Sequence, residues 1–356
     1  MAPDPVLLLK VAIVILAVGA LVFGLTAVSR AAADEFSWEL SGSVDESDLG
    51  EQFETQRASL AGTYYFDPVD EANGPYALAS FFDPQARVSL AVSESEQASS
   101  AVQPGTGVTP PDFDFDSETR EYSIGGRYVL PPSKWYFGGH YLTGEVDDPA
   151  ALATLSTDVE SYGVLAGKYF GAATTLELVV EQSELDRTAD FFVCTIAACF
   201  VAGESSLEAT TDTIRLDAMH VQRFGSLTYT LFGGIAERSV HLVARTPAFT
   251  LPVPPPFGPI GGLQVPARTT DTELEPSRAY SLGGELFPTA KLGVRLGYTR
   301  VDDDSLLDDA YDISTTWFFR RNVGLQFTFR RQQGEPTPFG GDTDSDGAAL
   351  RVIGRL

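Results

Sequence analysis

The sequence predicts an all-β fold: a transmembrane, antiparallel up-and-down β-barrel of about fourteen strands, preceded by an N-terminal leader. Three observations predict it. Apolar and polar residues alternate along most of the chain. No continuous apolar run after residue 33 is long enough to cross a bilayer as a helix. Connections between the alternating stretches are short and long by turns. The last residues show the pattern in miniature: Ala348, Leu350, Val352, Gly354 and Leu356 share one face, and Ala349, Arg351, Ile353 and Arg355 the other. Period-2 alternation means a different solvent on each face of a strand. Here those solvents are lipid and a wet lumen that accepts arginine. Only closure removes the unpaired edges that lipid does not tolerate.

Residues 1–33 read as a secretion signal. Lys10 precedes an apolar stretch over residues 11–28, and Ala31, Ala32 and Ala33 give the small-residue cleavage pattern. The apolar stretch is long and Asp4 is unusual, so an uncleaved anchor is the competing reading. The barrel pattern downstream argues for release, because an outer-membrane barrel has to leave the inner membrane. The mature chain, residues 34–356, is then expected to begin at Asp34. N-terminal sequencing of outer-membrane material checks this, and a retained Lys10 region contradicts it.

The strands are expected at about residues 36–44, 57–66, 76–93, 120–130, 134–145, 159–170, 174–185, 211–222, 227–240, 277–286, 291–301, 311–319, 323–331 and 348–356. Asp83-Pro84 marks a bulge or break in the third. Short connections are Pro131-Pro132-Ser133, Gly171-Ala172, Phe224-Gly225-Ser226, Phe287-Pro288-Thr289 and Arg320-Arg321-Asn322. The medium turn at residues 67–75 belongs with them. Long connections are rich in Pro, Gly, Asp and Ser. Short turns on the periplasmic side, long loops outside and both termini in the periplasm are the barrel arrangement. Tyr64, Phe66, Tyr128, Trp135, Phe137, Tyr169, Phe170, Trp317 and Phe319 flank short turns, as a periplasmic aromatic girdle requires.

The chain carries 24 Lys and Arg against 49 Asp and Glu, a net charge of −25. Such acidity argues against nucleic acid as a partner. Acidic clusters at Asp112, Asp114 and Asp116, at Asp302, Asp303 and Asp304, and at Asp342, Asp344 and Asp346 fall between strands and read as solvated loops; none has the ligand order of a calcium loop. Cys194 and Cys199 are spaced for a small disulfide ring in an external loop, which an exported context favours. The sequence gives no catalytic motif, no metal-spaced pair and no cofactor site. His220 lies on the apolar face of its strand and reads as structural.

Placing the apolar face outward assigns the pore-lining set. Its bases are Arg57, Arg87, Arg127, Lys168, Arg215, Arg295, Arg330 and Arg351. Its acids are Glu121, Glu177, Asp217 and Glu285. Arg355, Glu39, Glu160, Glu181 and Asp312 fall on the same wall. A charge facing lipid at the bilayer midplane costs about 2–4 kcal/mol for Arg or Lys, so these side chains belong to water.

Three blocks resemble the general bacterial porins. They are GTYYFDPVDEANGPYALASFF at residues 62–82, YGVLAGKYF at residues 162–170 and WFFRRNVGLQFTFRRQ at residues 317–332. The resemblance implies an outer-membrane, water-filled channel for passive diffusion of small polar solutes or ions, and carries over no catalytic residue. Such barrels usually end in an aromatic residue; this one ends in Leu356. The alternative is a non-conducting barrel acting as a scaffold or adhesin. Expected partners are outer-membrane lipid and small solutes, with homo-oligomerisation left open.

Overall fold

A computed structural model describes residues 35–49, 53–72, 74–100, 114–150, 153–194, 199–246, 248–251, 263–302, 309–333 and 344–356. In chain order the strands are β1 Glu35–Leu49, β2 Phe53–Asp70, β3 Arg87–Ser100, β4 Asp114–Leu130, β5 Trp135–Ala150, β6 Ala153–Phe170, β7 Thr174–Cys194, β8 Cys199–Phe224 and β9 Leu227–Thr246. They continue as β10 Phe249–Leu251, β11 Leu263–Val265, β12 Arg268–Glu273, β13 Ser277–Thr289, β14 Leu292–Asp302, β15 Asp309–Arg320, β16 Val323–Gln333 and β17 Ser345–Arg355.

Fourteen of these close a barrel. Each pairs antiparallel with its chain neighbour from β1 to β9, then β9 with β13, and on through β14 to β17. Closure is the β1–β17 ladder, which runs from Glu39 opposite Arg355 to Leu49 opposite Ser345. Ser37 and Trp38 both donate backbone N–H groups to the carbonyl of Leu356, so the two ends of the described barrel meet on the short-turn side. Two of those turns hold glycine at positive φ, Gly171 at 68° and Gly225 at 63°, a conformation glycine adopts without a Cβ penalty.

Three findings differ from the sequence expectation. First, the third strand starts at Arg87, eleven residues later than expected at Tyr76. Tyr76–Leu78 is a 3₁₀ turn and Ala79–Phe82 a turn of α-helix. Leu78, Phe81 and Phe82 have helical i, i+3, i+4 spacing, Pro75 precedes the first turn, and Asp83-Pro84 stops the second. Second, β7 and β8 are 21 and 26 residues long, far beyond the roughly 9–11 needed to span a bilayer. Strand length beyond a bilayer span does not have to carry the apolar alternation that marks the membrane portion. Third, the long connection between the expected strands at 227–240 and 277–286 begins as strand. β9 runs to Thr246, and β12 pairs with its upper part, Arg268 opposite Thr246 and Glu273 opposite His241. Pro252, Pro254, Pro255 and Pro256 lie outside the described residues.

The leader also lies outside the described residues, as do Asp112, Asp303, Asp304 and Asp342. The backbone of Cys194 stands opposite that of Cys199 at the tip of the β7–β8 hairpin; their side chains, and with them the disulfide, lie outside what is described.

The outer surface is apolar where lipid would touch it. Leu90, Ile124, Val164, Leu178, Ile214, Leu282, Leu296 and Phe327 are all exposed there, with Phe66, Tyr128, Trp135, Phe170, Trp317 and Phe319 nearer the short turns. Exposed side chains of this size belong in lipid, not water.

Candidate functional site: the lumen and its filled periplasmic end

Contacts between strands that are not neighbours define the inner face, because only the concave side brings them together. Arg127 on β4 donates to Glu177 on β7 at 2.6 Å, across β5 and β6. His140 on β5 meets Glu181 on β7 at 3.1 Å, and Ser161 donates to the same carboxylate at 3.2 Å. Arg57 on β2 pairs with Glu121 on β4. Arg295 lies 3.7 Å from Asp312 and stacks over Phe232 at 4.2 Å.

Strand parity then places each expected residue. Arg57, Arg87, Arg127, Arg215, Arg295, Arg330, Arg351, Glu121, Glu177, Asp217 and Glu285 lie on the inward parity of their strands. Arg215 bonds Asp217 on its own strand at 2.7 Å, and Arg351 donates to Ser41 at 2.9 Å. Lys168 is the exception. It shares the outward face of β6 with Tyr162, Val164 and Phe170, and its ammonium sits 5.2 Å over Trp135 and 5.4 Å over Phe170. It lies near the Gly171 turn, where a long lysine reaches the headgroup layer while its stem stays on apolar surface. Glu160 is likewise on the outward face of β6, opposite Glu184 of β7. Among the described residues, no group of three or more His, Cys, Asp or Glu is arranged to hold a metal. His220 on the outer face bonds Thr174 at 2.9 Å.

The sequence reading missed the filling of the lumen. Residues 71–86, the link between β2 and β3, fold inward instead of forming a plain turn. Leu78 and Phe81 pack in one apolar cluster with Tyr136 of β5, Tyr169 of β6, Val221 of β8 and Phe287 of β13. Those strands lie on different sides of the ring, so the segment reaches across the barrel. Tyr76 donates its N–H to Ala290 in the β13–β14 turn at 2.9 Å. Tyr136, Phe287 and Phe318 are each 1% exposed, so these rings are covered from the lumen side. Tyr169, expected in the outer girdle, therefore points inward, while Phe170 beside it faces out.

Arg355 fastens this segment. Its guanidinium donates to Glu39 at 2.9 Å, to Glu71 at 2.9 Å and to the Tyr76 carbonyl at 2.7 Å. It is gripped between Phe36 and Phe318, 4.5 and 4.9 Å from their ring centres. Arg355 is 4% exposed and Glu71 6%. Burial pushes the Glu71 carboxyl above its ordinary pKa, and Arg355 opposes that shift without cancelling it. From the other side, Arg223 of β8 lies over Phe82 at 4.6 Å.

No family model matches the chain, and no curated protein resembles it closely enough to count. The porin resemblance thus rests on the residues quoted for it. Solved structures do resemble it in fold. The Acinetobacter baumannii outer membrane protein Omp33 is 15% identical, with a TM-score of 0.50 over 91% of this chain and all of its own. A deletion mutant of the TodX monoaromatic hydrocarbon channel is 13% identical, with a TM-score of 0.59 over 91% of each chain. The Ralstonia pickettii toluene transporter TbuX is 8% identical, with a TM-score of 0.59 over 90% of each. The chain has the closed antiparallel β-barrel fold of bacterial outer-membrane proteins. Its polar inner wall lies above an apolar, filled periplasmic end.

Proposed function

We propose that the barrel is a passive channel for small polar solutes or ions, with no catalytic role, and that residues 71–86 narrow its periplasmic end. The observation that carries this reading is the inner wall itself. Guanidinium and carboxylate groups from most of its strands line it, several in direct pairs such as Arg127 with Glu177, interleaved with Ser41, Ser59, Ser93, Gly125 and Gly297. The small hydroxyl side chains and glycines on that wall leave room beside the charges for a solute. Passage to the periplasm requires the inward segment to shift. A second reading, a non-conducting scaffold or adhesin, draws on that same filling and on the long β7–β8 hairpin.

Planar-bilayer recording separates the two. The channel reading expects discrete current steps from purified protein. It also expects a mild cation preference at low salt, set by the acidic outer loops and fading as salt screens them over about 8–10 Å. Arg127→Ala leaves Glu177 uncompensated and Arg295→Ala does the same for Asp312, so each is expected to move the reversal potential toward cations. Unchanged conductance and reversal potential in both variants would take those arginines off the conducting path. Silent membranes at every voltage favour the scaffold.

A further inference from the structure

A cavity of about 620 Å³ opens on the inner wall formed by β1–β4, β16 and β17. Arg57, Arg330 and Arg351 line it. The ladders set them on successive rows. Arg351 stands opposite Ser43. Arg57 is one inward step higher, opposite Asp45. Arg330 is a further step up, opposite Gly347. Each inward step is two residues, about 7 Å along a strand, so the guanidiniums climb one side of the lumen toward the external mouth.

Their partners differ. Arg57 is held by Glu121 and by Ser93, the latter at 2.9 Å. Among the described residues, Arg351 donates to the Ser41 hydroxyl and has no carboxylate partner. Arg330 has no ion-pair or hydrogen-bond partner among the described residues. Its cross-strand neighbour Asp312 is turned to Arg295 at 3.7 Å. Asp344 and Asp346 are turned to the outward Arg331, at 3.3 and 3.9 Å. The inward carboxylates of the cavity are Glu121, already paired, and Asp45, which accepts from Ser43 at 3.1 Å. Glu46 also borders the cavity but lies on the outward parity of β1, opposite Ala348 and Gln56; among the inward side chains, two guanidiniums without a carboxylate partner against one acid leave a net single positive charge. Around them stand the hydroxyls of Ser43, Ser47, Thr55, Ser59 and Thr328.

We infer that this cavity is a binding site for small hydroxylated carboxylates carrying one negative charge. The inference rests on the channel reading above and names its substrate class. Guanidinium forks match a carboxylate in two-point geometry, and the hydroxyls both donate to and accept from a polyol chain. The volume suits a solute of monosaccharide size. Asp45 disfavours a dianion.

Calorimetric titration of the purified full barrel at low salt, with sodium gluconate and with glucose, tests it. Gluconate is expected to bind, and glucose to bind at least about tenfold more weakly. R330A and R351Q are each expected to weaken gluconate by about tenfold, the loss of one charge-assisted contact; R331A, which faces outward, is expected to change nothing. Equal binding of glucose and gluconate overturns the proposal, as does full gluconate affinity in R330A with a normal heat-modifiable gel shift. Tighter binding of inorganic phosphate than of gluconate overturns the carboxylate assignment. Planar-bilayer current then separates this site from the function it serves. Gluconate binding with no current upholds the site and sinks the channel, whereas current with no gluconate binding does the reverse.

Discussion

Replacing residues 76–82 with an equal length of Gly and Ser is expected to raise single-channel conductance several-fold. The replaced stretch supplies Leu78 and Phe81 to the cluster that covers Tyr136, Tyr169 and Phe287. Without it, those rings face an open bore, and nothing spans the ring between the β17 side and β6–β8. The barrel wall does not depend on this stretch, because the β2–β3 ladder closes above it, from Tyr65 opposite Arg87 to Phe53 opposite Ser99. The variant should therefore assemble, keep the heat-modifiable mobility of a folded barrel, and lose some thermal stability through exposed aromatic surface. Wild-type conductance in a folded variant would mean that solutes do not pass this level, and that the lumen is not the route.

Arg355→Ala is expected to be the most destabilising single substitution in the lumen. It removes three hydrogen bonds and two ring contacts and strands Glu71 in an apolar site. Breaking one side of a buried ion pair typically costs about 3–5 kcal/mol. The inward segment is the cheapest element to give up, so at neutral pH the variant should show larger and noisier openings and a lower gel-shift temperature. The pH response has a definite sign. Glu71 has a raised pKa in the folded state, with Arg355, Glu39 and Asp70 around it. The docked segment thus binds a proton more readily than the released one. Docking is favoured on acidification and weakened as pH rises through the folded value. In the Arg355→Ala protein, acid should restore the small conductance, because a protonated Glu71 tolerates burial alone. Glu71→Gln should stay docked at neutral pH. Openings that grow on acidification in Arg355→Ala would contradict this account of the clamp.

Much of the wall was legible in the sequence, because period-2 alternation assigns every residue of a membrane strand once a few apolar ones are placed. That logic puts Arg57, Arg127, Arg295 and Glu177 on the face where strand parity also places them. It failed at Lys168, where charge was taken to mean lumen although the residue sits at the membrane edge, within reach of headgroups. It also failed where strands leave the bilayer. The outer parts of β7, β8 and β9 extend beyond a bilayer span, where alternation is not required and the sequence carries no facing signal. The inward segment was misread for another reason. YALASFF satisfies a strand template loosely and a helical one better. The decisive signal was Leu78, Phe81 and Phe82 at helical spacing between Pro75 and Asp83-Pro84. The Arg355 clamp was beyond sequence reasoning, since it joins Glu39, Glu71 and Arg355 through barrel closure.

The most direct test of the central claim is solute flux into liposomes carrying the wild-type protein, followed by swelling. A solute-conducting lumen narrowed at its periplasmic end predicts slow entry of the smallest polar solutes, falling steeply with solute size, and faster entry through the residue 76–82 replacement. Swelling no greater than in protein-free liposomes, for both the wild type and the replacement, would contradict it.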